Sequence, residues 1–290
     1  MNSFALGLDL LLRQLRNDKE FRHARFDQSM VERIRRLTLA YNSSGDLPGE
    51  ESYQLSAKTS SDMTQPSTLG LSPVTVAAQP ADDQAERLAS LRESVLVCEK
   101  CAHLAAFRHT VVFGVGNPNA DLIFVGEAPG ADEDLRGEPF VGRAGELLTR
   151  VIETMGFRRE TVYIANVLKC RPDIPQGSPG NRQPTPEEMQ TCLPYLRSQI
   201  EIIRPKVMVA LGGVAMRGLF GTTEPMRALR GRWHLFGGIP VMATFHPSYL
   251  LRNQSLSEKR KVWEDMLQVL ERLGSPINER QRNFFLPKSE

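Results

Sequence analysis

Residues 121–130 read DLIFVGEAPG. The apolar run Leu122–Val125 is too short for a helix and stops at Gly126. Such a run, bounded by a glycine turn, predicts a strand buried on both faces. Two further stretches have the same form, TVYIANV at 161–167 and KVMVAL at 206–211. Helical patterns separate them. Arg143–Met155 is amphipathic. Thr185, Pro186, Glu187 and Glu188 supply an N-cap, an N1 proline and first-turn acids for a helix running to about Ile203. Gly212-Gly213 leads into a short helix, and Ser257–Leu273 closes the series. Trp233–Phe236 and Ile239–Thr244 flank a Gly-Gly turn. Apolar strands alternating with helices predict an α/β fold: a mostly parallel sheet covered on both faces by helices, as three αβα layers.

Outward from that core the composition changes. A helix over Asp83–Leu96 runs into Cys98. Residues 42–85 are rich in Ser, Thr, Pro, Gly, Gln and Ala, and Pro48, Pro66, Pro73 and Pro80 interrupt any long element. They are expected to form a flexible linker, since burial gains there fall short of the ordering entropy. Residues 1–41 carry leucines and phenylalanines at helical spacing. They are expected to form a helical extension, docked on the main domain or offered to a protein partner. Residues 86–275 are the expected catalytic domain, and 276–290 a basic, frayed tail.

The formal net charge is +2, which names no partner. It is unevenly spread: residues 1–84 hold 9 Lys and Arg against 11 Asp and Glu, leaving 27 against 23 in the rest. The basic excess of the main domain tolerates an anionic partner. No run of 18 apolar residues occurs, and no signal-peptide pattern opens the chain, so a cytoplasmic protein without membrane association is expected.

Four cysteines are present: Cys98 and Cys101 as a CxxC, then Cys170 and Cys192. Disulfides fit poorly in a chain without an export signal. A redox CxxC leaves the second pair unexplained. Four thiolates closing on one metal centre account for all of them, and spacing leaves zinc and [4Fe-4S] both open.

The turn Gly126–Gly130 matches neither a Walker A loop nor a GxGxxG fingerprint. It stands at the carboxyl end of a strand, where open α/β sheets bind ligands. It carries Glu127, Asp132, Glu133 and Asp134 to that edge. A solvated acidic loop, a magnesium site and a metal-dependent nuclease are all compatible with these acids. The same edge should receive Phe140, able to stack on a flat ring or fill the core. Asn166 could be bidentate with a ring offering one donor and one acceptor. His246 follows the last strand. If the sheet is parallel, these groups converge.

Taken together and in order, six segments resemble the type 4, iron–sulfur uracil-DNA glycosylases: CEKC (98–101), GEAPGADED (126–134), PFVGRAG (139–145), NVLKCRP (166–172), GNRQPTPEEMQTC (180–192) and HPSYLLR (246–252). The resemblance covers 86–275 and implies a central, largely parallel four-stranded sheet between helices. It implies a [4Fe-4S] cluster on Cys98, Cys101, Cys170 and Cys192. It implies that Phe140 stacks on uracil, Asn166 reads the base and His246 faces its O2. Backbone groups at Gly126 and Ala128 should line the pocket. Glu127 and Glu133 become candidates for handling water, with Glu133 favoured. Leu250 or Leu251 would fill the gap left by a flipped base, and Arg143, Arg171, Arg182 and Arg252 would meet phosphate. The implied partner is uracil-containing DNA, single- or double-stranded, bound by a monomer acting at the nucleoid. Other deaminated bases (hypoxanthine, xanthine) and a non-enzymatic iron–sulfur scaffold are the alternatives. Asp173–Ser178 looks inserted relative to the family pattern.

Overall fold

A computed structural model describes residues 81–174 and 180–286. The expectations for 1–41 and for 42–80 lie outside the described residues, as does most of the apparent insertion at 173–178.

The chain enters through α1 (Ala81–Leu96) and α2 (Ala102–Phe107), then a two-residue strand β1 (Val115–Gly116). Next come β2 (Leu122–Gly126), α3 (Ala131–Arg136), α4 (Arg143–Thr154), β3 (Tyr163–Asn166) and α5 (Pro186–Ile203). The second half runs through β4 (Val207–Leu211), α6 (Gly213–Phe220), α7 (Met226–Leu229), β5 (Trp233–Phe236) and β6 (Ile239–Thr244). It ends with α8 (Pro247–Arg252), α9 (Leu256–Arg272) and α10 (Glu279–Asn283).

These strands form one six-stranded sheet, ordered β1-β3-β2-β4-β6-β5. The four central strands are parallel, and the edge strands β1 and β5 run antiparallel to their neighbours. The expected four-stranded parallel core is therefore present, with one short strand added at each margin.

Two apolar layers follow from strand alternation. Ile123, Val125, Ala165, Met208, Ala210 and Ala243 face one layer, which α5 fills with Met189, Cys192, Leu196, Ile200 and Ile203. Leu122, Phe124, Ile164, Val209, Leu211 and Met242 face the other, with Leu148 and Ile152 of α4 and Trp263, Met266 and Leu270 of α9. Burial on both faces is what made the strands read as unbroken apolar runs.

The carboxyl ends of β2, β3, β4 and β6 share one edge of the sheet. The register pairs Gly126 with Asn166 and Leu211 with Thr244, so all four strands end level. Segments leaving these ends include residues 127–142, 167–174, 212–213 and 245–248.

The segment expected as a frayed tail is different up to Leu286. Asn278 caps α10, and Trp263 Nε1 donates to the Gln281 carbonyl. Phe284 sits edge-on to Trp263, with ring centroids 5.4 Å apart. Basic composition hid a segment anchored by hydrogen bonds and an aromatic contact. Among the described residues no helix is long and apolar enough to cross a membrane.

Candidate active site

The pocket begins at Gly126. A Cβ built there would lie 2.5 Å from Phe140 Cζ and would collide with Asn166 Oδ1. Only glycine lets the ring and the amide approach the strand end this closely. The Phe140 ring is 5.6 Å from that of His246. The backbone then bends away, while Leu168 N–H still bonds the Glu127 carbonyl and extends the β2–β3 pairing one step. The sheet edge thus brings together Gly126, Phe140, Asn166 and His246, with Glu127 and half-buried Ala128 next in the chain.

Phe140 is held in a demanding conformation. Its φ is +56°, in the left-handed region, at a cost of about 1–3 kcal/mol for a bulky residue. Neighbouring bonds enforce it. Arg159 donates to the Pro139 carbonyl at 2.8 Å. Val141 N–H and Gly142 N–H both donate to Glu133 Oε1 at 3.1 Å. Gly145 leaves room for the Phe140 carbonyl, which a Cβ there would strike.

Glu133 is therefore fully engaged. Its other oxygen accepts from Gly130 N–H at 3.0 Å, the N-cap of α3. Asp134 is buried and accepts from His109 N–H, His109 Nδ1–H and Thr110 N–H. Of the four acids expected at this edge, two are committed to the protein's own backbone.

Glu127 is the contrast. It is half-buried, and burial pushes its carboxyl up to about 7 despite the opposing charge of Arg217. Arg217 was not singled out in the sequence, since an arginine on a short helix carries no signal of what it faces.

Asn166 is buried, and its Oδ1 has no hydrogen-bond partner. An orphaned buried carbonyl oxygen costs about 1–3 kcal/mol unless a ligand supplies a donor. Its main chain is fixed from below. Lys169 Nζ donates to the Asn166 carbonyl at 2.9 Å and to Gln199 Oε1 at 2.6 Å. Burial pulls that lysine down to about 8. Lys169, expected to be structural or to meet phosphate, is structural: it has no exposed surface for a phosphate to meet.

His246 is the N-cap of α8, with Pro247 at N1. Its Nδ1 accepts from Ser248 Oγ at 2.8 Å and from Ser248 N–H at 3.2 Å. Two donors on Nδ1 put the ring proton on Nε2. Burial, then the charge of Arg252, lowers the imidazole to about 4, so it is neutral at physiological pH. Ser248 thus holds the imidazole, and the sequence analysis did not single it out. The N-cap spacing His-Pro-Ser was its available signal.

The four cysteines are free and lie close enough to influence one another's charge. Cys98 and Cys101 are half-buried, Cys170 and Cys192 buried. Tyr195 O–H donates to Cys98 Sγ at 3.3 Å, Arg108 to Cys170 Sγ at 3.2 Å, and Lys169 N–H to Cys192 Sγ at 3.3 Å. Burial, Cys170 and Cys98 raise the Cys101 thiol. Burial raises Cys192 to about 12, against the pull of Lys169. Four mutually repelling sulfurs with donors aimed at three of them fit a centre that supplies positive charge. Four thiols suit either zinc or an iron–sulfur cluster. Separately, His103, Asp173 and Glu188 bring ligand atoms within 4.8 Å of one another.

The His103, Asp173 and Glu188 group is not an open metal site. Arg182 lies across it, bonding Glu188 Oε1 at 2.6 Å and Oε2 at 2.9 Å and pairing with Asp173. This corrects one expectation: Arg182 is turned inward by these acids rather than toward phosphate. Arg171 is half-buried, lies over the Phe107 ring and reaches Asn181. Arg143 and Arg252 are exposed. Leu250 is buried, packed with Leu148, Val262 and Met266, which leaves half-buried Leu251 as the candidate wedge.

Residues 113–267 match the family model of the uracil DNA glycosylase superfamily. The chain belongs to the uracil-DNA glycosylase superfamily. It is 48% identical over 185 residues to the type-4 uracil-DNA glycosylase of Thermotoga maritima, covering 62% of this chain and 92% of that protein. The type-4 enzyme of Archaeoglobus fulgidus is 44% identical over 184 residues, covering 60% and 88%. That of Saccharolobus solfataricus is 41% identical over 199 residues, covering 66% and 88%. The chain is thus similar to type-4 members of this superfamily, and these relatives match 60–66% of it.

Proposed function

We propose that this glycosylase-family protein hydrolyses the bond between deoxyribose C1′ and uracil N1 in DNA, releasing uracil and leaving an abasic site. The observation that carries the reading is the orphaned Oδ1 of Asn166 beside the Phe140 ring. Uracil presents a donor at N3 and an acceptor at O4. The Asn166 amide complements both, with Oδ1 taking N3–H and Nδ2 donating to O4. Cytosine reverses that pattern and would leave both groups unpaired, a discrimination far larger than a methyl group provides.

To enter, the base leaves the stack and lies on Phe140. As the C–N bond stretches, negative charge gathers on N1 and O2. Neutral His246 donates Nε2–H to O2, and because Ser248 fixes its tautomer the donor is preorganised. Glu127 orients the water that attacks C1′ and offsets the sugar's positive charge. Glu133 holds the loop that sets Phe140. This reverses the order in which the sequence ranked the two acids. Leu251 fills the vacated stack, and Arg143 and Arg252 contact phosphate.

Cys98, Cys101, Cys170 and Cys192 hold a [4Fe-4S] cluster, which when bound ties α2, the β3–α5 loop and α5 together. The test is purified protein in EDTA with an oligonucleotide holding one uracil. Strand breakage that needs mild alkali and occurs only at uracil supports a monofunctional glycosylase. Breakage without alkali, or only with added magnesium, would move the acids to a nuclease role.

A further inference from the structure

The segment between the first cysteine pair and β1 touches both centres. Arg108 follows α2, and its guanidinium is divided between two cysteine segments. Nη1 donates to Cys170 Sγ at 3.2 Å and Nη2 to the Cys98 carbonyl at 2.7 Å. The next residue, His109, gives both its backbone N–H (3.0 Å) and its ring Nδ1–H (2.8 Å) to Asp134. Asp134 is completely buried. It is adjacent in α3 to Glu133, which fixes Val141 and Gly142 beside Phe140. Three consecutive links therefore run from two cysteine segments to the base-stacking ring, each through direct hydrogen bonds.

We propose that Arg108 and Asp134 are positioning residues, a strut that sets the base pocket from the cysteine corner. It rests on the glycosylase and four-thiolate reading above. Arg108 has a geometric role no lysine can copy. Its planar fork reaches a sulfur and a carbonyl from different segments at once. Asp134 has a role no neutral amide can copy fully, because it accepts only, from three N–H groups of one turn. The two halves make separable predictions. Arg108 guards the metal centre and Asp134 passes its position on.

The experiment uses the full-length, iron-loaded protein and the variants Arg108→Lys, Arg108→Met and Asp134→Asn. Cluster release is followed by visible absorbance under a ferrous-iron chelator. Uracil release is followed under saturating and limiting oligonucleotide, per mole of bound iron. Removing an outer partner of a metal ligand commonly costs 10–100-fold, so Arg108→Met should release iron about tenfold faster, with Arg108→Lys between it and wild type. Asp134→Asn should release iron at the wild-type rate yet lose about tenfold in kcat with KM little changed, since the misplaced ring acts on the bound base. Iron release unchanged in both Arg108 variants, or kcat unchanged in Asp134→Asn, overturns the strut. Wild-type protein that binds no iron or releases no uracil overturns the reading beneath it as well, a failure visible before any variant is made. Arg108→Met that does not fold leaves Arg108→Lys and Asp134→Asn to decide.

Discussion

The base pocket and the cysteine corner are built from similar residues and left in opposite states. In the corner, charged and polar groups are answered: Arg182 by Glu188 and Asp173, Glu188 also by His103 and Thr185 N–H, three sulfurs by donors. In the pocket, Asn166 Oδ1 has no partner, Glu127 is forced toward neutrality, and Phe140 is held at positive φ. Folding alone would remove such groups, because each costs stability. Their persistence at one edge of the sheet, beside a corner where equivalent groups are satisfied, marks where a ligand completes the structure.

The largest effect expected from breaking this contrast is at Glu127. Glu127→Gln keeps the shape and removes the charge, and should lower kcat about 10²–10⁴-fold. It should also stabilise the protein. The carboxyl titrates near 7 when folded against an ordinary value of 4.5. The folded state thus holds a proton that the unfolded chain has released, and wild-type stability falls as pH rises through that interval. At pH 8 the Gln variant should be more stable by up to about 3 kcal/mol, the equivalent of that displacement, and the advantage should vanish below pH 4.5. Wild-type kcat should rise with pH through about 7, as Glu127 ionises, while His246 stays neutral down to about 4. A flat profile from pH 5 to 8, or a Gln variant less stable than wild type at pH 8, would remove Glu127 from the water-handling role. Chemical denaturation at the two pH values and single-turnover rates check both halves.

A smaller effect is expected at Glu133, and it separates holding a loop from doing chemistry. Glu133→Gln keeps one acceptor oxygen, enough for at most two of the three N–H groups. Stability should fall by about 1–2 kcal/mol, and kcat by about tenfold through Phe140. The pH profile should stay where it is. An acid limb that shifts or disappears in this variant would restore Glu133 to the chemistry.

These two acids also show how far the sequence could be read. The strands and their order of succession were legible because β2, β3 and β4 are buried on both faces, which leaves unbroken apolar runs. Convergence of Glu127, Phe140, Asn166 and His246 on one edge follows from parallel strands alone. The division of labour between Glu127 and Glu133 does not, since both are glutamates in one motif. A clue was present: Glu133 stands three residues after the N-cap Gly130, the position from which glutamate reaches back to cap. The inward turn of Arg182, and which of Leu250 and Leu251 is buried, were illegible for a different reason. Which way an arginine or a leucine faces is decided by partners distant in sequence, and Asp173, Glu188, Val262 and Met266 carried no label tying them to those two. The edge strand β1, two residues long, falls below any periodic signal.

The smallest expected effect compares two arginines that the sequence treated alike. Arg143 is exposed at the first position of α4, while Arg182 is paired with two acids at the cysteine corner. A cation at a helix N-terminus opposes the helix dipole, so α4 gains nothing from Arg143 and should tolerate its loss. Arg143→Ala should leave thermal stability unchanged, weaken binding to uracil-containing oligonucleotide several-fold, and reduce the steepness of log K against log salt by about one. Arg182→Ala should do the reverse. It strips Glu188, buried and held down to about 2, of its principal partner. The expected loss is about 1–3 kcal/mol of stability with the salt slope intact. Titrations at several salt concentrations, paired with melting curves, separate the two. Equal slopes for Arg143→Ala and wild type would mean that DNA does not cross the α4 end of the pocket, and the wedge assigned to Leu251 would then need a different approach path.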